Sequence, residues 1–192
     1  WYAQGQYRLG RTMFSAGARR ERVDYAYAPN VGAALRADHT LTAWDIGVNH
    51  RLDEQFSLFA NVNRAFQTPD IDRFFDFGGT FNAFIAPAIS HTANVGLNHV
   101  TPANRLKLAL FRANLKNEIY YNALTWTNTN LDKTHKVGLE LQDNWRATET
   151  LTASLNYTWT RAIIDQENDG GGAYNGKDLP GVPRNGVTLG LN

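Results

Sequence analysis

Apolar and polar residues alternate along most of this chain. In LTASLNYTWT, residues 151–160, one parity carries Leu151, Ala153, Leu155, Tyr157 and Trp159, and the other carries Thr152, Ser154, Asn156, Thr158 and Thr160. Period two places such sets on opposite faces of a β-strand. HKVGLELQDNW repeats the pattern, with Val137, Leu139, Leu141 and Trp145 against Lys136, Gly138, Glu140, Gln142 and Asn144. TAWDIGVNHRL does so again, with Trp44, Ile46 and Val48 against Asp45, Gly47 and Asn49. Nine strands are predicted in this way, near 1–9, 12–25, 40–52, 56–65, 91–100, 105–119, 134–145, 151–164 and 185–192. One segment slips. In RLKLALFRANLKNEI the apolar set runs Leu106, Leu108, Leu110 and then Phe111, Ala113, Leu115, which predicts a bulge or a strand end with relaxed facing.

The connections alternate between short and long. LGR after the first segment, DEQ at 53–55, TPAN at 101–104 and RATET at 146–150 are short, whereas 26–39, 66–90, 120–133 and 165–184 are long. Soluble meanders seldom carry repeated loops longer than about 12–15 residues. A transmembrane barrel does, because every second turn faces the periplasm and every other loop faces outside. Aromatics also end the apolar faces, Trp145 near one turn and Tyr157 with Trp159 near the far end of the next strand. Rings at both ends of an apolar stripe fit two membrane interfaces. The expected fold is therefore all-β, an antiparallel up-and-down transmembrane β-barrel. A soluble β-sandwich, with the same rings as core aromatics, is the alternative.

Composition narrows the chemistry. The 192 residues include 19 basic and 18 acidic ones, mixed throughout, so no clustered basic face points to nucleic acid. With no cysteine, disulfide scaffolds, thiolate metal sites and cysteine nucleophiles are excluded. No run of 18 apolar residues forms a membrane-spanning helix. The chain begins at Trp1 without a signal-peptide pattern, which predicts a processed chain or one cut from a longer precursor. His39, His50, His91, His99 and His135 are scattered without metal-ligand spacing, and no paired carboxylates suggest a hydrolase. No enzymatic activity is expected.

DQENDGGG, residues 165–172, has the alternating acids of a calcium loop, Asp165, Glu167 and Asp169. The EF-hand pattern fails at its third position, Glu167, and at its twelfth, Gly176, where a bidentate glutamate is required. Three consecutive glycines predict a mobile loop with solvated acids.

Four stretches resemble TonB-dependent outer-membrane receptors. NRAFQTPDIDRFF (63–75) resembles the family's Arg-Ala-Phe strand end before a proline. IAPAISHTANVGL (85–97) is similar to its Leu-x-Pro-Glu-x-Ser segment and the following Glu-x-Gly, with Pro87, Ser90 and Gly96 in place but Ala88 and Asn94 replacing the acids. LFRANLKNEIYY with NLDKTHKVGLEL resembles a strand–loop–strand unit, with Gly138 and Glu140 matching, and LPGVPRN (179–185) resembles the proline-rich start of a following strand. WYAQGQYRLGRTMFSAGARRE is similar to an upstream strand pair, so the resemblance covers nearly the whole chain.

The resemblance implies a 22-stranded barrel with an N-terminal plug, importing a ligand with energy from the TonB system. Residues 1–192 would then be a partial barrel domain, without the plug and the remaining strands, and its edge strands would make the isolated piece self-associate or aggregate. It also implies ligand recognition by external loops and inward-facing strand ends. The candidates are Arg73, Phe74 and Phe75 after the fourth strand, and Tyr120, Tyr121 and Trp126 in the next long loop. Aromatics stack on flat or catecholate ligands and arginine offers a forked donor to anionic chelates; girdle or loop-packing roles are the alternative. A ferric siderophore or other metal chelate is the implied cargo. Haem is disfavoured because Phe66-Gln67-Thr68-Pro69 and Asn82-Ala83-Phe84-Ile85 depart from the haem-receptor boxes and no histidine lies between them. Some family members bind calcium in external loops, so Asp165, Glu167 and Asp169 remain a weak calcium candidate. Outer-membrane lipid is an expected partner, and a passive porin-like channel is the competing function.

Overall fold

The computed structural model describes residues 1–123 and 125–192. Nine antiparallel strands form one sheet among them: β1 (Tyr2–Leu9), β2 (Thr12–Tyr27), β3 (Leu35–Arg51), β4 (Phe56–Gln67), β5 (Ala88–Val100), β6 (Asn104–Asn122), β7 (Thr127–Arg146), β8 (Thr152–Gln166) and β9 (Asn185–Leu191). They lie in chain order, so each pairs only with its sequence neighbours, and the sheet is open at β1 and β9.

All nine predicted strands are present, and most reach further toward the long connections than their periodicity indicates. The predicted loop 120–133 is mainly strand, because β6 and β7 remain paired up to Asn122 and Thr127. Inter-strand hydrogen bonds hold that stretch even where neither face is uniformly apolar. The other long connections, 28–34, 68–87 and 167–184, leave the same end of the sheet.

The register identifies the faces, since directly paired residues share one. One row runs Tyr7, Phe14, Val48, Ala60, Val95, Leu110, Leu139 and Trp159. The next, towards the short turns, includes Leu58, Leu97, Leu108, Leu141, Tyr157 and Val187. None of these side chains is buried, and many are bare: Val95 is 54% exposed and Leu110 52%, as is Ile46 at 57% on the same face one row higher. An apolar face left open across eight strands is the outer, lipid-contacting surface of a membrane barrel. Trp145 and Trp159 stand at opposite ends of this stripe, both exposed.

The opposite, inner face is mixed. It carries Asn49, Asn61, Asn94, Lys107, Glu140 and Thr158, together with Phe59 and Phe111. A Cβ on Gly96 would collide with the Phe59 ring and the Leu108 carbonyl, and one on Gly138 with the Phe111 ring and the Trp159 carbonyl. Each ring thus lies over a glycine on the neighbouring strand. This corrects the reading of the slip in β6. Its register is unbroken from Arg105 to Lys116, and Phe111, Ala113 and Leu115 are inner-face residues. The irregularities sit higher. Asn117 has φ 56°, a left-handed value that asparagine tolerates, and Lys133 pairs with Gln166 while Thr134 pairs with Ile164, leaving Asp165 as an extra residue in β8. Beyond Asn117 the facing of β6 inverts, so Glu118 and Tyr120 point inward.

Candidate functional site

The inner face ends in a mouth roofed by the 68–87 connection. A 3₁₀ turn, Ile71–Phe74, places Phe74 at 2% exposure. Its ring meets Tyr25 edge-on at 4.8 Å and Phe84 at 5.1 Å, while Phe75 meets Tyr27 at 5.6 Å and Phe81 at 5.8 Å. Tyr27 and Phe81 stack at 4.4 Å. These edge-to-face and stacked rings fasten the connection to the β2–β3 hairpin. Tyr25 adds a hydrogen bond from its hydroxyl to the Pro69 carbonyl at 3.0 Å.

On the other side β7 supplies two asparagines. Asn130 accepts from the Ala86 amide at 2.8 Å and donates to the carbonyls of Ala86 and Asn117, both at 2.9 Å. Asn128, buried, accepts from Arg73 Nη1 at 3.2 Å. The connection is clamped from both flanks, which sets Arg73 over a cavity of about 220 Å³ lined in part by Gln67, Thr68, Leu115, Glu118 and Lys136. Its floor is built from charge: Lys136 Nζ donates to Glu118 Oε1 at 2.6 Å, and the Thr134 hydroxyl donates to Glu118 Oε2. Thr134 is buried and the Glu118 side chain is 15% exposed. Such a pair holds its geometry because separating it would strand a charge.

The sequence candidates thus fall into two groups. Phe74 is packed, with its neighbours occupying the ring, and Phe75 is half-buried among aromatics. Arg73 is exposed and faces the cavity. Tyr120 packs against Leu131, Ala162, Ile164 and Leu179, so it supports the wall. Tyr121 and Trp126 are exposed, and Trp126, at the hairpin tip, meets the exposed Phe77 edge-on at 6.2 Å. The structure therefore assembles Arg73, Phe77 and Trp126 at the mouth. Phe77, Glu118 and Lys136 escaped sequence reasoning. Phe77 carried the same signal as Phe74, an aromatic in a long connection. Glu118 and Lys136 face one another only after the inversion at Asn117, which no periodicity announces.

The three acids of DQENDGGG each take a different partner. Asp165 lies in β8 and pairs with His135 Nδ1 at 2.7 Å. Asp169 accepts from the Thr129 hydroxyl, and Glu167 is 4% exposed, with Oε1 accepting from the Gly170 amide. The three carboxylates thus have three separate partners, and no group of three acidic or histidine side chains converges among the described residues. The expected mobile loop of solvated acids is likewise corrected at Glu167. The connection folds inward, with Leu179 and Val182 on the wall, and turns at Gly171 (φ 66°) and Gly172 (φ 82°), where a side chain would be strained.

An open stripe of lipid-facing residues, a mixed inner face and inward-folded loops at one end define a segment of an outer-membrane transport barrel. Residues 1–192 match the family described as "TonB dependent receptor-like, beta-barrel". The chain belongs to this family of bacterial outer-membrane transport receptors. Solved structures agree in fold. The ferric yersiniabactin uptake receptor FyuA from Yersinia pestis is 19% identical with a TM-score of 0.77, covering 100% of this chain and 30% of that one. The ferric citrate transporter FecA is 19% identical with a TM-score of 0.74, covering 100% and 29%. The copper transporter OprC is 16% identical with a TM-score of 0.72, covering 99% and 31%. The chain thus spans about a third or less of the length of these structures. No curated protein sequence matches it.

Proposed function

We propose that the chain is part of a receptor for TonB-coupled import of a ferric siderophore or a similar metal chelate. In this reading further strands complete the sheet at β1 and β9, and a plug fills the lumen and couples it to TonB. The observation that carries it is the mouth: Arg73 lines the cavity floored by Glu118 and Lys136, and the exposed Phe77–Trp126 pair stands at the same end of the sheet. A cation beside aromatic edges suits an anionic, flat chelate, whose charge meets the guanidinium and whose rings meet Phe77 and Trp126. The family and the neighbouring siderophore receptors support this cargo class. Tyr121 lies on the same hairpin and extends the aromatic surface.

Cells lacking the receptor, supplied with single ferric chelates as iron source, are expected to lose growth on at least one of them. Unchanged growth and uptake on every chelate would remove the reading. For the chelate identified, Arg73→Ala should weaken binding about tenfold or more, the loss expected for one hydrogen bond to a charged group.

A further inference from the structure

We propose that the outer face of β6–β8, directly above the apolar stripe, binds the phosphate groups of an anionic lipid in the outer leaflet. The register places the cations. Above Leu110, Leu139 and Trp159 the next outward row is Arg112, Val137 and Arg161. Two rows higher Lys116 lies directly opposite Lys133. All four cations are exposed. They occupy three adjacent strands, within roughly 15 Å by strand spacing and rise.

None of the four joins an ion pair among the described residues. Arg112 bonds only the neutral Asn114 side chain, through Nε at 3.2 Å. Asp165, the extra residue of β8, is held by His135, and Asp132 beside Lys133 joins no ion pair among the described residues. The inner-face cation Lys136 is, by contrast, neutralised by Glu118. Two lysines directly opposite each other repel and weaken the sheet, a cost that a shared anion offsets.

Position selects the occupant. β6–β8 are interior strands, so no further strand can cover them, and the patch begins one outward step from the lipid-facing row. It lies on the side of the long connections, which is the outer leaflet. A lipid phosphate there keeps its chains against Leu110, Leu139 and Trp159 while its oxygens accept from the cations. The proposal rests on the outer-membrane location and is independent of the imported cargo.

The test uses the protein as expressed in an outer membrane, purified and placed in phosphatidylcholine nanodiscs containing either diphosphoryl lipid A or its dephosphorylated form. Native mass spectrometry should show retained lipid A only for the phosphorylated form. Each cation removed should lower retention about fivefold, the worth of one cation near an anionic surface. Lys107→Gln, on the inner face, should leave it unchanged. Lys116→Glu is the sharper variant: it places an acid opposite Lys133, so the hairpin should be no less stable while retention falls. Equal retention of both lipid forms, or undiminished retention in Lys116→Glu and in the Arg112→Gln, Arg161→Gln double variant, overturns the proposal.

Discussion

Gly138 shows how a single missing side chain fixes a position in this sheet. The Phe111 ring from the facing strand and the Trp159 carbonyl crowd the space where a Cβ would stand. Gly138→Leu should therefore destabilise the barrel by about 1–3 kcal/mol, the usual range for overpacking. Phe111→Ala in the same chain should recover part of that loss, and a double-mutant cycle in denaturant would read the coupling. Asp53 gives a second residue-scale expectation, in the turn outside the membrane. Its carboxylate accepts from the amides of Phe56 at 2.7 Å and Gln55 at 2.8 Å, and these bonds lower its pKa. The charged form is thus favoured in the folded turn. The stabilisation is complete above the unfolded pKa and disappears as pH falls through the lower, folded one. The protection of the Gln55 and Phe56 amides, their exchange relative to the unfolded chain at the same pH, should fall on acidification, and Asp53→Asn should abolish that pH dependence.

Among the elements, the 68–87 connection is a small packed unit. Truncating Phe74 to Ala should cost about 3–5 kcal/mol locally, since its ring is enclosed by Tyr25 and Phe84. Limited proteolysis between 68 and 87 should then become fast while the strands stay protected. Asn130→Ala should loosen the same connection from the β7 side, as it ends three hydrogen bonds. The strands themselves were legible in the sequence because lipid on one side enforces strict alternation, as in β8 from Ala153 to Trp159. Legibility failed where that constraint ends. Above the membrane both faces of β6 and β7 are wet or loop-covered, so strand continued through what read as a loop. The inner face admits Phe59 and Phe111 as readily as asparagine, which made Phe111 look like a slip. Phe74 and Arg73 are neighbours with opposite fates, and only the ring cluster around Tyr25 distinguishes them.

At the scale of the whole molecule, β1 and β9 each have one partner, and their outer edges are unpaired. Tyr2 is 78% exposed and Leu191 74%. Expressed alone in detergent, residues 1–192 should elute as oligomers or aggregates on size exclusion, since open edges template further pairing. A monodisperse monomer would contradict this. The chain-order topology has a further bearing, on assembly. Each strand finds its partner across one adjacent turn, so loop closure costs little at every step and insertion can advance one hairpin at a time. The ladder from Asn104–Trp145 to Asn122–Thr127 offers the natural starting seed, and β7 then templates β8 as β6 templates β5. Growth outward from that hairpin leaves the two rims of the sheet to zip last.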